Sequence, residues 1–147
     1  MQLASDRRYL FPVPPDAFWA AIGATDHYQR WWPWLRRFDA GGLVAGDVWR
    51  CAVRPPLPYT VRFAVHLGEV VRPTLITARV DGDIAGTARL VVAPHDEGCA
   101  VRLTSTLAPS NRAFGLLAAL ARPLVRRGHD WVLDTGAHQF ATGALTS

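Results

Sequence analysis

The sequence lacks lysine altogether, and it contains only two cysteines among its 147 residues. Two cysteines, Cys51 and Cys99, are too few for a disulfide framework, and we expect them to be reduced thiols of a cytoplasmic protein. All 16 basic residues are arginines. They are dispersed, with no run longer than a pair, so we expect a solvated cationic face rather than a nucleic-acid-binding patch.

Long apolar runs are also lacking. Arg, Pro or Gly interrupts every apolar stretch well before the roughly 20 residues that a membrane span requires. The first seven residues contain no apolar core of a signal peptide, which again favours a cytoplasmic location. The length, with 50% hydrophobic and 19% charged residues, is typical of one globular domain, which we place over residues 1–147.

The spacings that hold metals and common cofactors are absent as well. The histidines do not occur at helical ligand spacing, and neither cysteine has a Cys or His neighbour at such spacing. The sequence also lacks a Gly-x-Ser-x-Gly elbow, a P-loop and a dinucleotide fingerprint. We therefore predict no metal and no cofactor.

What the sequence does contain is an alternating pattern over five consecutive candidate strands. One set of alternate positions is apolar, as in the run Tyr59-Val61-Phe63-Val65-Leu67. The intervening positions carry Arg50, Arg54, Arg62, Arg79, Arg89 and Arg102. Successive strand side chains point to opposite faces, so the pattern predicts a sheet with one dry face and one cationic face. A pocket on the dry face suits an apolar ligand better than acid–base chemistry.

Helical patterns precede and follow these strands. An opening strand over residues 7–13 leads into a helix that starts at Pro14-Pro15-Asp16 and ends at Gly23. A second short helix runs from Thr25 to Trp32, and a long helix spans residues 111–142, where Pro123 must kink or break it. The apolar side of this long helix is small in its centre, at Ala118, Ala121, Gly128 and Gly136. Such residues allow either close helix–sheet packing or space for a guest molecule.

This order of elements resembles the helix-grip superfamily of START-like, birch-pollen-allergen-like and polyketide cyclase/dehydrase-like (SRPBCC) proteins. The segment Pro14–Trp19 looks like the family's entry to the first helix, Tyr28–Pro33 like its Tyr…Trp-x-Pro segment, and Gly46–Trp49 like its glycine-led strand. The resemblance implies an α+β fold in which a curved antiparallel sheet of about seven strands (β-α-α-β6-α) wraps around a long C-terminal helix. It also implies a hydrophobic cavity between sheet and helix.

The predicted cavity lining combines the dry sheet face, the second helix and the apolar side of the long helix. It comprises Trp32, Trp49, Cys51, Tyr59, Phe63, Val65, Ala78, Leu90, Leu103, Ser105, Leu117, Ala121, Val125, Gly128 and His129. His129 is the one histidine near the apolar side of the long helix. The pattern offers no neighbouring base to activate Ser105 or Cys51, so His129 and Tyr59, as weak acids, are the candidates for a catalytic role.

Our leading hypothesis is a protein that binds a small hydrophobic molecule: lipid-like, polyketide-like or aromatic. One alternative is a polyketide cyclase or dehydratase that uses His129 and Tyr59. Another is an interaction module that contacts lipid headgroups or quinone-pathway enzymes through the Trp-rich second helix and the arginine face. We expect no nucleic-acid partner and rank membrane contact below a small-molecule ligand. The pattern leaves open whether the protein is a monomer or a homodimer.

Overall fold

Seven antiparallel strands form a single sheet in the computed structural model, which describes residues 2–145. In chain order the elements are β1 (Leu3–Phe11), α1 (Pro15–Ile22), a 3-10 turn (Thr25–His27), α2 (Tyr28–Trp31), β2 (Leu35–Asp39), β3 (Val48–Val53), β4 (Val61–Val71), β5 (Leu75–Gly82), β6 (Ile84–His95), β7 (Gly98–Pro109), α3 (Arg112–Leu120) and α4 (Arg122–Gly143). The sheet order is β1-β7-β6-β5-β4-β3-β2. The curled sheet with its C-terminal helices confirms the predicted helix-grip fold.

The register of the sheet agrees with the alternating pattern. Trp49 lies opposite Val65, and Leu90 lies opposite Leu103. The arginines between the inward-facing positions are all exposed: Arg50, Arg54, Arg62, Arg79, Arg89 and Arg102. A register error of one residue would have placed these arginines inside, so the prediction of the two faces is confirmed.

Two strands differ from the prediction in their boundaries. β1 spans Leu3–Phe11, so it begins four residues before the predicted start at Arg7 and ends two residues before the predicted end at Val13. β4 begins at Val61, so Tyr59 lies in the preceding loop and not in the strand. Three prolines in residues 55–58 explain this second difference, because proline cannot donate a hydrogen bond to a strand ladder.

The predicted long C-terminal helix is broken into α3 and α4 at Ala121, whose backbone leaves the helical region at φ −129° and ψ 45°. Pro123 lies in the first turn of α4, where its missing amide hydrogen breaks no helical bond. Asn111 caps α3, since its side-chain oxygen accepts from the Phe114 amide at 2.7 Å. The predicted apolar side persists through the break, because Phe114, Val125 and Phe140 are all buried.

A polar seam between β1 and α4 was not predicted. Arg7 points inward from β1 and pairs with Asp130 at 2.8 Å. Tyr9 donates to Asp134 at 2.8 Å. Helical spacing alone predicts that Asp130 pairs with Arg126, and this contact, at 4.0 Å, is present within α4. The contacts of Asp130 and Asp134 with β1 are not predictable from that spacing. The seam attaches α4 to the edge of the sheet.

The space between the sheet and the C-terminal helices has two contrasting ends. At the end under α3, which we call the packed end, the buried side chains of Leu3, Val61, Phe114, Ala118 and Val125 form one cluster. At the opposite end, under α1, α2 and the second half of α4, aromatic side chains surround open space. We call this the hollow end. No helix within residues 2–145 is both long and apolar enough to cross a membrane.

Candidate ligand-binding cavity

Two apolar lobes occupy the hollow end. The first, of about 220 Å³, lies between α1, α4 and the strands β1, β6 and β7, and the second, of about 230 Å³, lies between α2 and the strands β3–β7. The first is lined by Tyr9, Phe11, Phe18, Ile22, Trp32, Trp34, Leu90, Val101, Leu103, Val132, Leu133, Gly136, Ala137 and Phe140. The second is lined by Ile22, Tyr28, Trp32, Trp49, Val65, Leu67, Ile76, Ala78, Ala88, Arg89, Leu90 and Leu103. Four residues border both lobes, so the lobes are neighbours.

Small side chains leave this space open. Gly136 and Ala137 face the first lobe from α4, while Ala78 and Ala88 line the second lobe from paired positions of β5 and β6. Eight aromatic rings stand among aliphatic side chains around this space, and a planar ring cannot bend into a gap as a flexible side chain can. The inward-facing sheet residues Leu90 and Leu103 are consequently only half-buried.

Hydrogen bonds hold two of the surrounding indoles in place. The Trp32 Nε1 donates to the Gly136 carbonyl oxygen at 2.9 Å. The Trp34 Nε1 donates to the Gln139 side-chain oxygen at 2.7 Å. Both bonds join the α2–β2 segment to α4, so these two rings are fixed to the helix behind them.

The hydroxyl groups of the lining are engaged in internal hydrogen bonds. The Tyr9 hydroxyl donates to Asp134 at 2.8 Å, and the Tyr28 hydroxyl donates to the Ile22 carbonyl oxygen. Burial, with the Asp134 carboxylate as a second cause, raises the pKa of Tyr9, and burial raises the pKa of Tyr28. The side chain of Arg89 is exposed on the outer face, because it alternates with the inward-facing Ala88 and Leu90. The lobes thus present an apolar surface with no free acid or base.

Six of the fifteen predicted ligand-binding residues line the lobes: Trp32, Trp49, Val65, Ala78, Leu90 and Leu103. The other nine lie outside both linings, at Cys51, Tyr59, Phe63, Ser105, Leu117, Ala121, Val125, Gly128 and His129. Val125 and Gly128 are buried at or near the packed end. Cys51 is buried among Tyr28, Leu35 and Val53, and this burial raises the pKa of its thiol to about 12.

The two catalytic candidates lie away from the lobes. His129, 15% exposed, lies with its Nδ1 3.3 Å from the Ser5 hydroxyl and 3.8 Å from Asp130. Burial lowers the pKa of His129, partly offset by Asp130. The Tyr59 hydroxyl packs against Gly128, and burial raises the pKa of Tyr59. These shifts favour a neutral imidazole and a neutral phenol near pH 7.

The structure adds a part of the lining that the sequence analysis did not select. On α4 the cavity lies further along the helix than predicted, at Val132, Gly136 and Phe140. A helical projection of residues 111–142 at 100° per residue places these three on the apolar side, so the sequence contains a signal for them. The residues from β1 and α1 were missed because their patterns indicated core packing and gave no sign of the open space.

A larger groove, of about 890 Å³, lies elsewhere. It crosses five strands on the outer face of the sheet, and its border includes four threonines with Arg79 and Arg89. We regard it as a surface trough, because the residues along it belong mostly to the exposed face. Among the described residues, His, Cys, Asp and Glu form no group that could hold a metal ion.

Comparison with known proteins agrees with this architecture. A family model described as polyketide cyclase/dehydrase and lipid transport matches residues 5–142. The Zhui aromatase/cyclase from Streptomyces sp. R1128 superposes with a TM-score of 0.78 at 13% identity, over 99% of this chain and 94% of that chain. A protein from Thermus thermophilus gives 0.72 at 16% identity, over 100% of both chains.

Norcoclaurine synthase from Thalictrum flavum, in complex with dopamine and hydroxybenzaldehyde, gives a TM-score of 0.68 at 12% identity. That similarity covers 99% of this chain and 87% of the synthase chain. No curated protein matches the sequence. At such low identities, the solved structures establish the shared fold alone.

Proposed function

Because the chain belongs to the family described as polyketide cyclase/dehydrase and lipid transport, we propose that it binds a small, apolar, ring-containing molecule in the two lobes. The observation that carries this proposal is the aromatic lining whose hydroxyl groups are engaged within the protein. A guest would be held by shape and by contact with ring faces and edges. A guest that needs several hydrogen bonds would find few free partners.

The size of the space supports a guest of modest size. Each lobe, at about 220 and 230 Å³, is smaller than the roughly 300–1,000 Å³ of pockets that hold drug-sized ligands. The two neighbouring lobes together reach the lower part of that range. A molecule with one or two rings fits this space, with Trp32 and Leu103 contacting it from opposite walls.

Two measurements test this proposal. Native mass spectrometry of freshly purified protein looks for a retained molecule. Titration with an apolar naphthalene dye measures affinity in the wild type and in variants that fill one lobe each. We expect Ala137→Phe to fill the first lobe and Ala78→Phe the second, each weakening dye binding by about ten-fold or more, because the space that the dye occupies is lost. Ala93→Phe, at an exposed position of β6, is the matched control.

Thermal unfolding of each variant shows whether it is folded. Dye affinity that stays at the wild-type value in folded Ala137→Phe and Ala78→Phe proteins contradicts the proposal. An equal loss in Ala93→Phe also contradicts it, since that side chain lies outside the cavity.

Catalysis as a cyclase or dehydratase is the second candidate, and the family description is what favours it. His129 would then act as a base, because burial lowers its pKa and keeps the ring neutral. General acid–base catalysis is worth roughly 10²–10⁴-fold, so His129→Gln should lower turnover of a polyketone by that factor. Turnover with an unchanged pH profile in His129→Gln would remove this residue from the mechanism. The absence of an acid or base on the lobes makes binding the better-supported function.

The location of the protein in the cytoplasm stays a prediction.

A further inference from the structure

Beyond Arg112 at its first position, α3 is apolar on all sides, although only one side of it is covered. Phe114 and Ala118 are buried against the packed end. The opposite side presents Leu116, which is 61% exposed, and Leu120, which is 79% exposed. Ala113 and Ala119 are exposed on either side of this pair. A helix that is apolar around its whole circumference is normally enclosed on all sides, so this outer side is a candidate contact surface.

Arginines without carboxylates surround this apolar side. Between Gly98 and His129 the sequence contains five arginines and no acidic residue. Arg112 projects beside Leu116 on the helix, and Arg122 follows Leu120 by two residues. Both arginines are exposed, and neither forms an ion pair within the part of the chain that the structure describes.

Asp83 lies at the start of α3, Asp130 is the first acidic residue after α3 in the chain, and both carboxylates are engaged elsewhere. Asp83, at the start of α3, accepts from the Asn111 side-chain nitrogen at 2.5 Å and from the Arg62 backbone amide at 2.8 Å. Asp130 pairs with Arg7 from β1 at 2.8 Å. The exposed side of α3 is therefore apolar in its centre and cationic at its margin.

We propose that α3 docks on the surface of an anionic phospholipid bilayer. Leu116 and Leu120 would enter the boundary between headgroups and acyl chains, while Arg112 and Arg122 contact the phosphates. Charge decides between this partner and a second copy of the chain. A two-fold contact between two α3 surfaces would bring the same unpaired guanidinium groups together, whereas an anionic bilayer attracts them.

The proposed contact is weak and reversible, because it consists of two leucines and two arginines on a nine-residue helix. It also involves a different surface from the Trp-rich second helix that the sequence suggested. α3 packs at the end of the molecule away from the two lobes. Membrane docking is thus independent of ligand binding, and failure of one proposal leaves the other standing.

The test is sedimentation of the protein with phospholipid vesicles. We expect binding to vesicles of equal parts phosphatidylserine and phosphatidylcholine, little binding to pure phosphatidylcholine, and release by added salt because the charges are exposed. Removing two basic residues, as in Arg112→Gln/Arg122→Gln, should weaken binding by about ten-fold or more. Leu116→Gln/Leu120→Gln should have a similar effect, since it removes the apolar contact.

Two control variants match the charge and the apolar area removed. Arg50→Gln/Arg62→Gln removes two exposed arginines from the outer sheet face, and Leu10→Gln/Val44→Gln removes two exposed apolar side chains far from α3 in the sequence. Both should bind vesicles like the wild type. Thermal unfolding and dye binding should be unchanged in all four variants.

Three results would overturn the proposal. They are absence of binding to phosphatidylserine vesicles, equal losses in the control variants, or wild-type binding in both α3 variants. A change from dimer to monomer in Leu116→Gln/Leu120→Gln, without an effect on vesicles, would assign the surface to a second copy of the chain instead.

Discussion

Gly128 and Gly136 lie two turns apart on the same side of α4, yet they meet different surroundings. A Cβ atom at Gly128 would overlap the Tyr59 hydroxyl and come within 3.1 Å of the Leu57 side chain. At Gly136 the nearest atom is Cζ2 of Trp34, at 3.1 Å, and the first lobe lies beside it. Gly128 thus permits close packing, whereas Gly136 borders a cavity.

The comparison shows that a small helix residue does not by itself make a cavity. At the packed end, the proline-rich loop brings Tyr59 across to fill the space, and its ring meets Phe114 at a centroid distance of 6.0 Å. At the hollow end, Trp32 and Trp34 are fixed to α4 by their own hydrogen bonds and cannot turn inward. The two ends differ in what lies opposite the helix.

The largest difference between the two ends should appear when a large side chain is removed from each. Phe114→Ala should cost about 3–5 kcal/mol of unfolding free energy, because it opens a void in a filled core. Leu103 borders both lobes. Leu103→Ala should therefore lower the unfolding free energy by less than about 2 kcal/mol, whereas Leu→Ala in a filled core usually costs about 2–5 kcal/mol. Chemical denaturation measures both values.

Dye titration supplies the second half of this test. Leu103→Ala should change the affinity for the apolar dye, whereas Phe114→Ala should leave the affinity of the folded protein unchanged. Equal stability losses at both positions would show that the hollow end is as tightly packed as the other.

A smaller difference should separate the two glycines. In Gly128→Ala the added methyl group overpacks its surroundings, which should lower the unfolding free energy by about 1–3 kcal/mol. Alanine also raises helix propensity by about 1 kcal/mol, so the net effect is a loss or no change. Gly136→Ala should be neutral or slightly stabilising, because the Trp34 ring needs to shift by only a few tenths of an ångström beside the open lobe. Melting temperatures of the two variants give the comparison. Adding Tyr59→Phe to Gly128→Ala should recover part of the loss, and no recovery would argue against the hydroxyl as the obstacle.

The smallest effect concerns pH and His129, which lies between the two ends. Burial lowers its pKa from the ordinary value of 6.5, so the unfolded chain binds a proton more readily than the folded one. Stability should therefore be constant above pH 6.5 and fall as the pH decreases from 6.5 through the lower folded-state pKa. His129→Gln should remove this slope in denaturation curves, while His138→Gln, on the exposed side of α4, should retain it.

The carboxylates with lowered pKa values change the stability at lower pH than His129 does. The Arg102 guanidinium lowers the pKa of Asp6, the Gly42 amide lowers that of Asp47, and the Arg79 guanidinium lowers that of Asp81, all from an ordinary value of 3.8. Their stabilising contributions are lost only as the pH falls below that value. A slope between 6.5 and 4 that persists in His129→Gln would show that another group carries it.

Much of the fold was predictable from local patterns. The alternation of residues such as Arg62 and Phe63 predicted which face of each strand is exposed, and Pro123 predicted a break in the C-terminal helix. The boundary of β4 was not predictable from alternation alone. Tyr59 continues the apolar period of the strand, but the prolines before it cannot join the ladder.

The candidate site was predictable only in part. The sheet half of the lining followed from the inward-facing positions, as at Leu90 and Leu103. The helix half was placed around Gly128, although the open space lies around Gly136. Periodicity placed both glycines on the apolar side, but it contains no information about which of them has a bulky side chain opposite.

The sequence by itself determined the order of the elements, the dry and cationic faces of the sheet and the apolar side of the C-terminal helices. These properties depend on the period of side chains along one segment, and a single chain displays that period directly. Tertiary structure alone decided where the cavity lies, which polar groups are engaged and which side of α3 stays uncovered. Those properties depend on contacts between residues far apart in the chain, such as Trp32 with Gly136 and Arg7 with Asp130. Their geometry exists only once the sheet has curled around the helices.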